Sequence, residues 1–243
     1  MRFNWFDLAF PWIGLAGALV ILVLLFGSDM LRSDPASSRW RDHVWLSWMA
    51  VVVYLVHNVE EYGIDLLGQS HAFPAELCAN FGFPTLAECP VPPSFFLAVN
   101  IPLFWIVGPI AALLSRRHPL VGLALYSVIF TNGLVHVLTV LRTGQPYNPG
   151  LLTAVVLFLP LSAWVAYACF GGNGLRYPAV AFLIVLGVVL HVILAGSLIL
   201  SIKGVISSVL AVRLQIVNAA LLLLMTWLGE RWRGGTLLRV APA

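Results

Sequence analysis

Charge is what this chain lacks most. Aspartate, glutamate, lysine and arginine make up 9% of its 243 residues, against about a quarter in an ordinary soluble domain. So little polar surface cannot cover a water-facing exterior, and a soluble globular fold is excluded. Polar segments are short as well, none much above about thirty residues, which leaves no room for a second, water-soluble domain. Lysine occurs once, at Lys203, in a connecting segment. No buried lysine is left to form a Schiff base, which disfavours a photoreceptor. An inverted repeat, the usual construction of a carrier, is also not evident.

Hydrophobic length is what the chain has instead. Hydrophobic residues make up 60% of it, and the mean hydropathy is +0.96. The apolar runs approach 20 residues, the length of a helix that crosses a bilayer, whereas barrel strands alternate over ~10. Seven spans are expected, at residues 9–27, 44–64, 96–114, 119–140, 150–170, 178–200 and 205–228. The fold class is therefore all-α: a polytopic membrane protein, one bundle of about seven transmembrane helices over residues 1–243. The first run exceeds the ~7–15 apolar residues of a signal peptide and follows a single basic residue, Arg2. It reads as a membrane helix anchored by Trp5 and Trp12. Prolines within the spans are tolerated where neighbouring helices or water re-satisfy the freed carbonyls.

Basic residues set the orientation. Arg32, Arg39, Arg41, Arg116, Arg117, Arg176, Arg231, Arg233 and Arg239 fall on one side, with only Arg2, Arg142 and Lys203 on the other. The positive-inside rule places the N-terminus outside and the C-terminus in the cytoplasm, in a bacterial-type inner (plasma) membrane. The net charge of +3 then reflects topology and gives no reason to invoke nucleic acid. The longest connection, about residues 65–95, has no lysine or arginine and carries Cys78 and Cys89, 11 residues apart. In an exoplasmic loop they read as a disulfide closing a lid over the bundle, with a pair of free thiols as the alternative. Cys169 reads as packing.

With directions assigned, the polar residues inside the spans fall in one layer. His57, Glu60 and Glu61 lie in the outer half of span two, Asn132 and His136 in that of span four, and Asn100 near the outer end of span three. His191 and Arg213 approach the same level from spans six and seven. A charge at the bilayer centre costs about 2.5–3.5 kcal/mol on the insertion scale, so these groups are expected to share an interior or a water-filled cavity. On an α-helix Glu60 and Glu61 lie about 60° to one side and 40° to the other of His57, and Asn132 and His136 share a face. A histidine and a carboxylate one turn apart, with a histidine from a facing helix, form a workable metal set. The candidate ligands are His57, Glu61, His136 and His191. Zinc suits two imidazoles and a carboxylate, and iron accepts the same facial set. The second glutamate would act as base or supporting partner, which makes Glu60, Glu61 and Asn132 the candidate catalytic residues. Asn100 and Arg213, with Arg142, Tyr147 and Asn148 in the short loop before span five, are the candidate substrate contacts. In that loop Asn148 is expected to cap span five, with Pro149 in its first turn. Two other readings of the layer stay open: a metal-free acid/base or binding site, and a structural network in which Arg213 neutralises a glutamate.

These residues carry a resemblance. "HNVEEYG" resembles the signature of the HXXEE family, multi-spanning membrane proteins without an established activity. The likeness continues through "FFLAVN", "TNGLVHVLTVL" and "PYNPGLLTAVVLFLPL", covering about residues 44–170. It implies a fold and a site location, and no reaction. No serine lies within or beside the His-Glu-Glu or Asn-His segments, which argues against a serine triad. The leading expectation is a metal-dependent hydrolase acting on a lipid or other apolar small molecule in the outer leaflet. The rivals are a metal-free isomerase or cyclase of an isoprenoid, whose paired carboxylates would hold a raised pKa, and a proton-coupled transporter or binding protein.

Overall fold

A computed structural model describes residues 3–172 and 174–238, without the side chains at 233–235. Arg2, Arg239 and the Arg233 side chain, counted above for orientation, lie outside the described residues. The described residues are helical throughout, with isolated bridges at Ile64–Ser70 and Phe170–Leu175 in place of strands.

Helix α1, Trp5–Gly27, opens on a capping box. Asn4 accepts from the amides of Phe6 and Asp7, and Asp7 accepts from the amide of Asn4, which satisfies donors that a helix start leaves free. Helix α2, His43–Asn58, begins at Asp42. One Asp42 oxygen takes the amides of Val44 and Trp45 and the other those of Ser33 and Asp34, tying the first loop to the helix start. A π turn over Val59–Gly63 continues α2. The remaining elements are α3 (Ala72–Asn80) in the second loop, then α4 (Pro93–Leu114), α5 (Pro119–Thr143), α6 (Leu151–Cys169), α7 (Tyr177–Ile202) and α8 (Ser208–Leu237).

Six helices are long and apolar enough to cross a membrane: α1, α4, α5, α6, α7 and α8. This is an integral membrane protein by that measure, with six such helices where the hydrophobic runs led us to expect seven spans. The one left out is α2, and the reason is physical. Helix α2 sits in the middle of the bundle, against α1, α4, α5 and α6, and nearly every residue from Val44 to Asn58 is buried. A helix covered by protein on all sides needs no lipid-facing stripe, so it can carry His57, Asn58, Glu60 and Glu61.

Three helices widen locally to an i→i+5 hydrogen bond: Ile64 N–H to Val59 O, Gly108 N–H to Leu103 O, and Leu159 N–H to Ala154 O. Prolines at 102, 109 and 160 accompany the second and third, since a missing N–H and a ring in the helical groove loosen the α ladder. The first has no proline and carries both glutamates. Such single widened turns are frequent at functional sites. Elsewhere α5 and α7 cross closely enough that a Cβ on Gly187 would collide with the Ser127 carbonyl and the Thr131 hydroxyl, as small residues allow between membrane helices.

The second loop folds back on the bundle. Cys78 and Cys89 are joined by a disulfide, with Cα atoms 5.7 Å apart. Both pack into a cluster with Phe10, Tyr62, Phe95 and Phe96, which seats α3 over the ends of α2 and α4.

Candidate metal centre

The site begins on α2. His57 and Glu61 are four residues apart, and a π turn takes one residue more than an α turn. Glu61 therefore rides almost directly above His57, and Glu60 is turned to the other side. His136 arrives from α5. The Nε2 atoms of His57 and His136 each lie 3.4 Å from Glu61 Oε1, and the three potential ligand atoms lie within 4.8 Å of one another. All three residues are buried, at 0%, 3% and 4% exposure for His57, Glu61 and His136.

The other side of each imidazole is engaged. His136 Nδ1 lies 2.6 Å from Asn148 Oδ1, and Asn148 Nδ2 donates to the His136 carbonyl at 2.9 Å. That second bond fixes the amide, so its oxygen accepts and His136 Nδ1 donates. His57 Nδ1 lies 2.7 Å from the Thr153 hydroxyl, which donates to Glu60 Oε2 at 2.6 Å. Thr153 thus accepts from His57. Both rings donate through Nδ1, and both Nε2 atoms face the Glu61 carboxylate. At 3.4 Å both contacts are longer than an ordinary hydrogen bond of about 2.7–3.2 Å. Ligands ~2.0–2.2 Å from a tetrahedral zinc stand ~3.3–3.6 Å apart, and metal-bound histidines usually donate their other N–H to an oxygen in this way. The donor set fits a divalent cation.

Glu60 is not among the three. Its carboxylate accepts from the Tyr147 hydroxyl at 2.9 Å, from the Leu152 and Thr153 amides at 3.0 and 2.8 Å, and from Thr153 Oγ1. Those amides belong to the first turn of α6, whose N-cap residue is Gly150 and offers no side chain. Glu60 supplies the cap from another helix, at the end where negative charge is favoured. Burial, with Glu60 alongside, pushes the Tyr147 phenol above its ordinary value. The expected capping role of Asn148 is corrected here: its side chain goes to His136, because the turn ending at Gly150 points it inward. Pro149 lies ahead of the helix, outside its first turn.

Two residues that sequence reasoning missed complete the arrangement. Thr153 links His57 to Glu60, and its signal is a hydroxyl in the first turn of an otherwise apolar span. Gly150, at φ 98°, brings backbone against both rings: a Cβ there would sit 2.5 Å from His136 Cε1 and 2.8 Å from His57 Cε1.

The remaining candidates divide. Glu61, Asn100, Asn132 and His191 line a partly open cavity of about 90 Å³ next to the triad. Asn100 donates to the Phe96 carbonyl at 2.9 Å. His191 stands apart from the ligand group, its Nδ1 bound to its own helix at Gly187 O, 2.8 Å. Arg213 and Arg142 are exposed. Neither faces the buried site, which corrects the expectation that Arg213 joins the polar layer. Depth in a span does not settle which way a residue points, and a long cationic side chain favours the outward face, where it can snorkel.

Neither the curated proteins nor the solved structures contain a match to the chain. A family match does exist, for the family described as "Protein of unknown function with HXXEE motif", over residues 48–165. That stretch holds the triad, Glu60, Asn148 and Thr153, and in it His57, Glu60 and Glu61 spell the motif: residues 48–165 match the HXXEE family.

Proposed function

We propose that this protein is a membrane-embedded, metal-dependent enzyme of the hydrolase type, acting on a lipid or other apolar substrate from the outer leaflet. One observation carries the reading: two imidazole Nε2 atoms converge on one buried carboxylate oxygen, each at 3.4 Å. Such a set calls for a cation. Zinc, or less readily iron, would be held by His57, His136 and Glu61, and when bound it supplies a Lewis acid and an activated water. The chain's own groups do the rest. Asn148 and Thr153 hold the two rings in register, and Glu60 holds Thr153, Tyr147 and the start of α6. Glu60, saturated by four donors, is a positioning residue in this reading. Asn132 and Asn100 line the cavity from which a substrate would approach Glu61.

In the same reading His43–Gly63 is a seventh crossing, the N-terminus lies outside, and the whole chain is one transmembrane domain. Two loop contacts support this. Arg116 reaches the Met30 carbonyl, joining the arginine-rich first and third loops on one side. Tyr147 meets the Leu66 amide, joining the disulfide loop and the loop before α6 on the other. The membrane in this reading is of the bacterial inner (plasma) type, and the arginine bias gives the orientation in it.

One observation favours a second reading. The hydrogen bonds from His57 through Thr153 and Glu60 to Tyr147 form a continuous run toward the loop side. A proton in place of the metal would then serve an acid/base isomerase or a proton-coupled binding protein. Elemental analysis of the purified protein after zinc loading separates the two. The metal reading expects close to one equivalent in the parent and background levels in His57→Ala and His136→Ala. Sub-stoichiometric metal in the parent, unchanged in both variants, overturns it.

A further inference from the structure

The cavity beside Glu61 is walled on its far side by α5, α7 and α8, and several polar atoms of that wall are acceptors without partners. Asn218 spends its Nδ2 on the Leu190 carbonyl at 3.0 Å, which fixes the amide and leaves Oδ1 without a partner. Gln215 spends its Nε2 on the Ser197 hydroxyl at 2.6 Å, and its Oε1 is likewise unpartnered. Gln215 is 2% exposed. Its position three residues before Asn218 puts both amides on the cavity side of α8. From α5, Asn132 adds a third unpartnered oxygen, Oδ1. His191 gives its Nδ1 proton to Gly187 O, so its Nε2 is an acceptor too. Across the cavity stands the Glu61 carboxylate. Acceptors cannot satisfy one another, and leaving them unpaired inside a protein is costly. On the near side Tyr54, Tyr62 and Asn100 add polar atoms, and the rest of the lining is apolar, with Phe73 and Leu77 from α3 and Phe95, Phe96 and Leu194 from the helices.

We infer that this wall is a head-group subsite selective for an aliphatic ligand that carries hydroxyl or amine donors, and that it discriminates against heads that only accept. The inference rests on the cavity being the substrate site and is independent of whether a metal is bound. The aromatic and leucine lining takes the chain of such a ligand. The oxygens of Asn132, Gln215 and Asn218, with His191 Nε2, take its O–H or N–H groups, and those interactions orient the rest of the molecule toward Glu61.

The test uses short probes on the purified full chain in detergent, read by thermal unfolding. Hexanediol with vicinal hydroxyls and hexylamine are the donor-bearing probes, and the dimethyl ether of the same diol is the acceptor-only control. The diol and the amine are expected to raise the unfolding temperature in a saturable way, and the diether is not. Gln215→Leu and Asn218→Leu are each expected to weaken the apparent Kd for the donor probes about tenfold, the loss of one buried hydrogen bond. Should Gln215→Leu fail to fold, Asn218→Leu at the half-buried position carries the comparison. Metal content measured on the same samples is expected to stay at the parent level, so failure of the subsite and failure of the metal reading are seen separately. Equal shifts from all three probes, no shift from any, or shifts that survive both substitutions would each overturn the inference.

Discussion

Replacing Gly150 with alanine sets one methyl group against both imidazoles at once. Two costs arise. The backbone at φ 98° lies where an L side chain is strained, a cost of about 1–2 kcal/mol. The new Cβ also stands 2.5 Å from His136 Cε1 and 2.8 Å from His136 Nε2 and His57 Cε1, when ordinary contact begins at 3.4 Å. The shortfall of about 0.6 Å at His57 and about 0.9 Å at His136 has to be met by moving the rings, because the Gly150 backbone is tied into the start of α6. Metal ligands tolerate displacements of about 0.2 Å, so the substitution is expected to lower zinc affinity by tenfold or more. The parent and Gly150→Ala would be titrated with zinc in competition with a chromophoric chelator and melted in parallel in metal-free buffer. A lower unfolding temperature in the absence of metal reports the strain, and a rise in Kd reports the displaced rings. Parent affinity for zinc in a folded Gly150→Ala protein would refute the reasoning, since the two rings would then not be held where the backbone puts them.

Three further outcomes follow from the same geometry. Thr153→Val, which keeps shape and removes the hydroxyl between His57 and Glu60, is expected to weaken zinc about 10–100-fold, with Thr153→Ser near the parent; chelator competition reads both. Replacing Cys78 and Cys89 with serine opens a loop closed across 11 residues and is expected to cost about 3 kcal/mol in unfolding free energy, read by denaturation of parent and variant. Arg213→Ala, on the exposed face of α8, is expected to leave metal content and affinity unchanged, measured alongside the histidine variants.

Much of the fold was legible because the bilayer leaves few choices. A helix must be long and apolar enough to cross it, so the run expected at 178–200 appears as Tyr177–Ile202, and the run at 96–114 as part of Pro93–Leu114. The site was legible at the level of its layer for a related reason: His57, Glu61 and His136 are too costly in lipid to be placed without a shared interior. Depth, however, is one coordinate, and the direction in which a residue faces is another. His191 and Asn132 line the cavity wall, while Arg213 is exposed. Nothing in a hydrophobic run distinguishes those fates, because both keep the helix equally long.

The roles of the two glutamates show the same division. By itself the sequence determined that this is a helical membrane protein with a histidine and two carboxylates at one level of its second helix, since length and the cost of buried charge follow from residue type alone. Only the tertiary structure decided that Glu61 meets the imidazoles while Glu60 caps α6, and that Asn148 and Thr153 hold the rings. Those outcomes depend on one widened turn at Val59–Gly63 and on how closely the Gly150 backbone approaches His57 and His136. Both are settled by packing between segments distant in the chain, which no local pattern encodes.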